Sequence, residues 1–193
     1  LEKADNGNSI SQNIFRIITP LIKFRACRDV RKIAGDAMEI RGGSGYIEEW
    51  LDPKILRDSH LGSIWEGTSN IISLDTIRAL KKDNNIETLK YYLIQVVQTT
   101  KKNEHTENLL SAIDNVFSFV RTEIQEDFTS SSRKVSSSLY YLCASIFLNS
   151  EGQYCKILAN RKKISELLIK YKINQNSPLE RDNLDCDLIR QFI

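Results

Sequence analysis

Residues that break regular structure are scarce in this chain, and nearly all of them sit toward one end. Only three prolines and eight glycines occur in 193 residues, and seven of the glycines (7, 35, 42, 43, 45, 62 and 67) lie at or before position 67. Little in the remainder interrupts long helices, and apolar residues recur at steps of three and four instead of alternating. Ile10, Ile14, Ile17 and Ile18 share one face of a helix predicted over 9–19, with Ser9 as its N-cap. Pro20 either kinks that helix or opens a second one. Ile22, Ala26, Val30, Ile33, Ala37 and Ile40 carry the pattern to about residue 41, where the glycines of "GGSG" at 42–45 end it. "YIEEWLD" reads as a loop, Asp52-Pro53 as the start of a short helix ending near His60, and "LGSIWE" as a second loop. Ile71, Leu74, Ile77 and Leu80 mark a helix over 67–82. Beyond the break at 83–85, further helices are expected over 86–101, 106–128, 134–149 and 151–171, followed by an irregular tail. Amphipathic helices with short connections predict an all-α, antiparallel helical bundle over 9–149, with an additional C-terminal helical region over 150–193.

Charge and cysteine content narrow the function classes. Lysine and arginine total 27 against 25 acidic residues, a net charge of +2 that gives no whole-chain signal for nucleic acid or membrane. Cys27, Cys143, Cys155 and Cys186 are far apart and there are only two histidines, so no metal site is expected. Reduced cysteines and an intracellular setting are expected; nothing chooses between mitochondrial, peroxisomal and cytoplasmic locations. No apolar run approaches the roughly 18–20 residues of a membrane span. The polar start, "LEKADNGNSISQ", has no methionine and reads as a cut inside a longer chain. The end, "IRQFI", matches no retention or peroxisomal tail.

Two short stretches could carry chemistry. "GGSG" by itself is a turn more often than a cofactor loop, although glycines let a backbone approach phosphate closely. In "IWEGTSN", Glu66 stands at the mouth of a helix. It reads either as a carboxylate favoured by the helix dipole, with Thr68 or Ser69 as cap, or as a general base beside the apolar wall of Trp65. Arg57 and Asp58 read as an ion-pairing surface, His60 as a polar bystander, and the basic run "KFRACRDVRK" as a solvated face that could also meet phosphates.

The order and spacing of "AMEIRGGSGYIEEWLDPKILRDSHLGSIWEGTSNIISLDTIRAL" resemble the C-terminal helical domain of the flavin-dependent acyl-CoA dehydrogenases. The shared steps are Gly42-Gly43-Ser44-Gly45-Tyr46, the acidic pair Glu48-Glu49, Arg57-Asp58, and Glu66-Gly67-Thr68. With "RIITPLIKFRACRD" upstream, the likeness is nearest the AidB-type branch and covers about residues 14–80.

The resemblance implies a larger oxidoreductase whose N-terminal helical and middle β domains are absent from this chain. It implies FAD as cofactor and an acyl-CoA substrate. It also implies a homo-oligomer, dimer or tetramer, with electron-transfer flavoprotein as a candidate acceptor. Glu66 aligns with the base that removes the α-proton of the thioester, and Gly67 with a residue beside the substrate. Glu39, Ile40, Arg41, Gly42 and Gly43 align with contacts to the adenosine-pyrophosphate part of FAD, and Thr68 and Asn70 with positions near the flavin. One departure stands out. The family's glutamine is Glu39 here, a carboxylate that pyrophosphate repels unless it turns toward an arginine such as Arg41. Other readings are a non-catalytic acyl-CoA or flavin sensor, an AidB-like nucleic-acid-associated flavoprotein, and a bundle serving only oligomerisation. The near-neutral charge weighs against nucleic acid.

Overall fold

A computed structural model describes residues 2–126, 129–153 and 159–174. Among them every regular element is helical. They are α1 (Glu2–Asp5), α2 (Ser9–Ile40), α3 (Gly43–Tyr46), α4 (Asp52–Leu61), α5 (Ser69–Lys81), α6 (Asn85–Gln98), α7 (Glu104–Gln125), a 3-10 turn (Thr129–Ser131), α8 (Ser132–Glu151) and α9 (Ala159–Leu168). The last runs into a π-helical turn (Ile169–Ile173). The irregular tail expected after 174, and with it Cys186, lies outside the described residues, as does Cys155. None of the helices is long and apolar enough to cross a membrane.

α8 is the centre of the bundle, packed by α2, α5, α6, α7, α9 and the π turn. Its Val135, Leu139, Leu142 and Ile146 meet Leu89 and Leu93 of α6 and Leu109, Ile113, Phe117 and Val120 of α7, all fully or almost fully buried. Each such side chain contributes about 1.5–3 kcal/mol on leaving water. Ile169 belongs to the same core, so the π turn is docked on it. Cys143 is buried here as a free thiol, and burial pushes its pKa up to about 12, far from thiolate chemistry.

Three local expectations are corrected. Asn8, not Ser9, caps α2, its side chain accepting from the Ser11 amide at 2.9 Å. Pro20 does not open a second helix. It is buried within one 32-residue helix, whose apolar face is held by α5 and α8 strongly enough to tolerate the missing N–H. The segment after the glycine pair is a short helix, α3, instead of plain turn.

α2 also carries two apolar stripes where the sequence suggested one. Ile14, Ile17, Leu21, Phe24 and Ala34 face the bundle. Ile22, Val30, Ile33 and Ile40 point away from it, Ile40 being 87% exposed. Tyr46, Trp50, Leu51, Ile55, Ile64 and Trp65 are exposed on the segments that follow α2.

Candidate active site

The glycine loop and the "WEGT" turn are both held by α2. After Ile40 the chain turns at Gly42, whose φ of 59° and ψ of −138° suit glycine alone. Gly45 then packs on the last turn of α2: a Cβ there would collide with the Met38 carbonyl oxygen and stand 3.0 Å from the Arg41 Cβ. Gly43 has neither constraint. Its φ is not positive, and a Cβ on it would meet nothing within 4 Å.

The residues around the loop are arranged differently from the sequence expectation. Arg41 does not turn to Glu39. Its Nε lies 3.2 Å from Asp52 Oδ2, and its guanidinium stacks 5.2 Å from the Trp50 ring centroid. Asp52 at the start of α4 is the less exposed carboxylate and captures the arginine. Glu39 and Ile40 are exposed, and Glu39 has no ion-pair partner among the described residues. Arg57 grips Glu48 with two hydrogen bonds of 2.6 and 3.0 Å, joining the acidic pair to the arginine–aspartate motif. That contact holds the Glu48 carboxyl below its ordinary range.

α4 leads into the second turn. Gly62 lies so close to α2 that a Cβ would come within 3.0 Å of the Cys27 sulfur. Amides of Ile64 and Trp65 both bond back to the Leu61 carbonyl at 3.0 Å, tightening the chain. Glu66 then adopts φ 56°, a left-handed conformation that costs a non-glycine residue roughly 1–2 kcal/mol. Gly67 follows at φ 109° and fits under Ile71 and Ile72. Lys23 fastens this turn to α2: its Nζ donates to the Trp65 carbonyl oxygen at 2.9 Å and stands 3.9 Å from Glu66 Oε2.

Glu66 points outward, its side chain 87% exposed. Trp65 is itself 63% exposed, so within this chain it does not wall off the carboxylate as expected. Thr68 occupies the N-cap position of α5 but makes no side-chain capping bond. Asn70, also exposed, accepts a 2.6 Å hydrogen bond from Arg133 Nε of α8, beside a cavity of about 550 Å³ bounded by these two residues and Ser132. His60 is exposed at the end of α4.

The nine site residues thus form two groups. Glu66, Gly67, Thr68 and Asn70 gather at the start of α5, beside Lys23. Glu39 to Gly43 lie past the far end of α2. Lys23 and Ile40 are 17 positions apart on that helix, roughly 25 Å along its axis. Two functional contacts escaped the sequence reading, Lys23 to the turn and Arg133 to Asn70. Both join residues more than 40 positions apart, and no local spacing rule signals them.

As a test of fit, Gly42 and Gly43 offer an unobstructed backbone for a dinucleotide phosphate, and the Asn70 amide and Thr68 hydroxyl remain as polar contacts at the other group. The carboxylate of Glu39, which feels Lys32 only at a distance, opposes the first of these contacts.

Known proteins share part of this sequence and this fold. Residues 1–81 match the family model for the acyl-CoA dehydrogenase C-terminal domain. Over 86 residues the chain is 35% identical to acyl-CoA dehydrogenase family member 11 of Caenorhabditis elegans, covering 45% of this chain and 14% of that protein. Over 71 residues it is 41% identical to the putative acyl-CoA dehydrogenase AidB of Escherichia coli strain K12, covering 37% of this chain and 13% of that one. The chain therefore spans only about a seventh of these relatives. In fold it resembles the crystal structure of C. elegans ACDH-11 in complex with C11-CoA, with a TM-score of 0.77 at 21% identity over 91% of this chain and 31% of the other. Over residues 1–81 the chain matches the C-terminal domain of the acyl-CoA dehydrogenases, and among the described residues the fold is all-helical.

Proposed function

We propose that this chain is the C-terminal part of an FAD-dependent dehydrogenase that introduces an α,β double bond into acyl-CoA thioesters, with Glu66 as the α-proton base. The observation that carries this reading is the backbone of Glu66. Among the described residues two non-glycines take a left-handed conformation, Glu66 and Asp83, and of these only Glu66 is in a turn clamped through Lys23 and followed by a second positive-φ residue. Relatives named as acyl-CoA dehydrogenases, and a fold neighbour crystallised with C11-CoA, support the substrate class.

FAD, when bound, supplies the hydride acceptor. Thr68 and Asn70 would orient its ring end, while Gly42 and Gly43, too distant to reach the same cofactor, would let the pyrophosphate of the FAD in a neighbouring subunit approach the backbone. Glu66 takes the α-proton onto its carboxylate. Lys23 holds the turn so that this carboxylate projects from the bundle surface, and Gly67 takes the positive φ that lets the chain enter α5 directly after it. An exposed carboxylate is a poor base toward so weak an acid, so a second surface must close over Glu66 and exclude water. The family's middle β domain is the surface we assign to this. We further assign residues 9–149 to the bundle and 150–193 to an added C-terminal region, of which α9 and the π turn pack onto it. The whole protein would be a homo-oligomer passing electrons to an electron-transfer flavoprotein.

The test is Glu66→Gln in the complete protein. Flavin should stay bound, while its reduction by acyl-CoA slows by at least about 10²-fold, the scale of general-base catalysis. Unchanged reduction would remove Glu66 from the chemistry. The commitment of Arg41 to Asp52, which leaves Glu39 without an arginine partner, favours one second reading: a relative that binds acyl-CoA with weakened flavin affinity and acts as a sensor. A protein that purifies yellow and bleaches with acyl-CoA argues against it.

A further inference from the structure

A cavity of about 600 Å³ opens between α2, α7, α8 and the π turn, and none of the candidate active-site residues lines it. Arg25, Lys134 and Lys172 border it, with no aspartate or glutamate in its wall. Arg25 pairs with Asp29 and lies 4.9 Å over the Tyr141 ring, yet its Nε is buried without a hydrogen-bond partner. Lys134 stands 5.0 Å from the Phe119 centroid and Lys172 5.7 Å from that of Tyr141. Neither lysine has a carboxylate partner among the described residues. Each lysine thus lies over an aromatic ring that itself lines the cavity.

The hydroxyls of Ser137 and Ser138 stand on the same wall. More positive charge lies close to Arg25. The Arg28 guanidinium is pushed below its ordinary range by burial, and then by Arg133, Arg25 and Arg31. Asp29 answers part of this like charge, and the remainder favours a bound anion. Lysine ammonium groups beside hydroxyl donors suit the several oxygens of a phosphate, and the volume is that of a small-molecule site.

We propose that this cavity binds a phosphate-bearing small molecule of nucleotide size, its phosphate held by Lys134 and Lys172 with help from Ser137 and Ser138. The site is independent of the dehydrogenase reading, because the lysines and serines all come from outside the family match at residues 1–81.

Calorimetric titration of the complete protein with adenosine monophosphate, inorganic phosphate and adenosine tests this. Adenosine monophosphate and phosphate should compete for one site, and adenosine should bind at least tenfold more weakly than its monophosphate. The double variant Lys134→Gln/Lys172→Gln should weaken both phosphate ligands at least tenfold. Both side chains are exposed, so circular dichroism of the variant should match the parent. Lys54→Gln on α4 should change nothing. No saturable binding at millimolar ligand, adenosine binding as well as its monophosphate, or binding that survives the double substitution (as binding at the candidate flavin residues would) overturns the proposal.

Discussion

At the scale of single residues, glycines that look alike in the sequence do three different jobs. Gly45 is required by contact, since any Cβ meets the Met38 carbonyl and the Arg41 side chain. Gly42 is required by its backbone angles. Gly43 is required by neither. Gly45→Ala should therefore cost about 1–3 kcal/mol and Gly42→Ala about 1–2 kcal/mol, both read from denaturant midpoints. Gly43→Ala should stay within about 0.5 kcal/mol of the parent. In the complete protein, Gly43→Leu should release FAD without unfolding, and retained flavin would remove Gly43 from the cofactor site. The sequence marked the cluster as special but could not divide these roles, because a clash with a carbonyl on the preceding helix is a fact of three dimensions. The same limit hid the Lys23 clamp, whose two ends lie 42 positions apart. The left-handed backbone of Glu66 was equally hidden, since glutamate carries no propensity for it.

At the scale of elements, most helices were legible. The helix expected from Pro53 to His60 is Asp52–Leu61, and the one expected over 134–149 is Ser132–Glu151. Breaks at glycine clusters and at 83–85 are strong local signals, and Asn85 reinforces the latter by donating to the Ala79 carbonyl at 2.8 Å. What periodicity could not reveal was which stripe of α2 meets the bundle, because a helical repeat looks the same on a buried and on an exposed face. Another contact that escapes sequence patterns ties α9 down. Ser165 donates its only hydrogen to the Ser145 carbonyl at 2.7 Å, so His105 Nε2–H is the donor in the 2.8 Å contact between His105 and Ser165. Burial lowers the His105 pKa; Glu166 opposes this and Lys162 adds to it, while Glu104 and Lys170 border the same cavity. The unfolded chain, with a histidine pKa near about 6.5, then binds protons before the folded one does. Stability from this group is complete above that value and is lost as pH falls through it. The thermal midpoint should drop on acidification below about pH 6.5, and His105→Gln should flatten that part of the profile. An unchanged slope would show that His105 is not the group responsible.

For the molecule as a whole, the bundle interior was predictable and the outer surface was not. Leu89, Leu93, Leu109, Ile113 and Phe117 fall on the expected stripes and are buried. The outer apolar stripe of α2 and the exposed Trp50 and Trp65 have no counterpart in an expectation built on a single core. α2 spans the molecule between its two candidate groups, with the acid fastened beside Lys23 and the glycine pair beyond Ile40. It therefore works as a ruler. One residue inserted between Val30 and Arg31 would lengthen it by about 1.5 Å and swing the glycine loop about 100° around the axis relative to the acid. Helicity should survive that insertion while flavin content falls, whereas the same insertion between Lys101 and Lys102, in a connecting loop, should be silent. Drift in length is thus open to the connections of this protein and closed to the one helix that sets its internal scale.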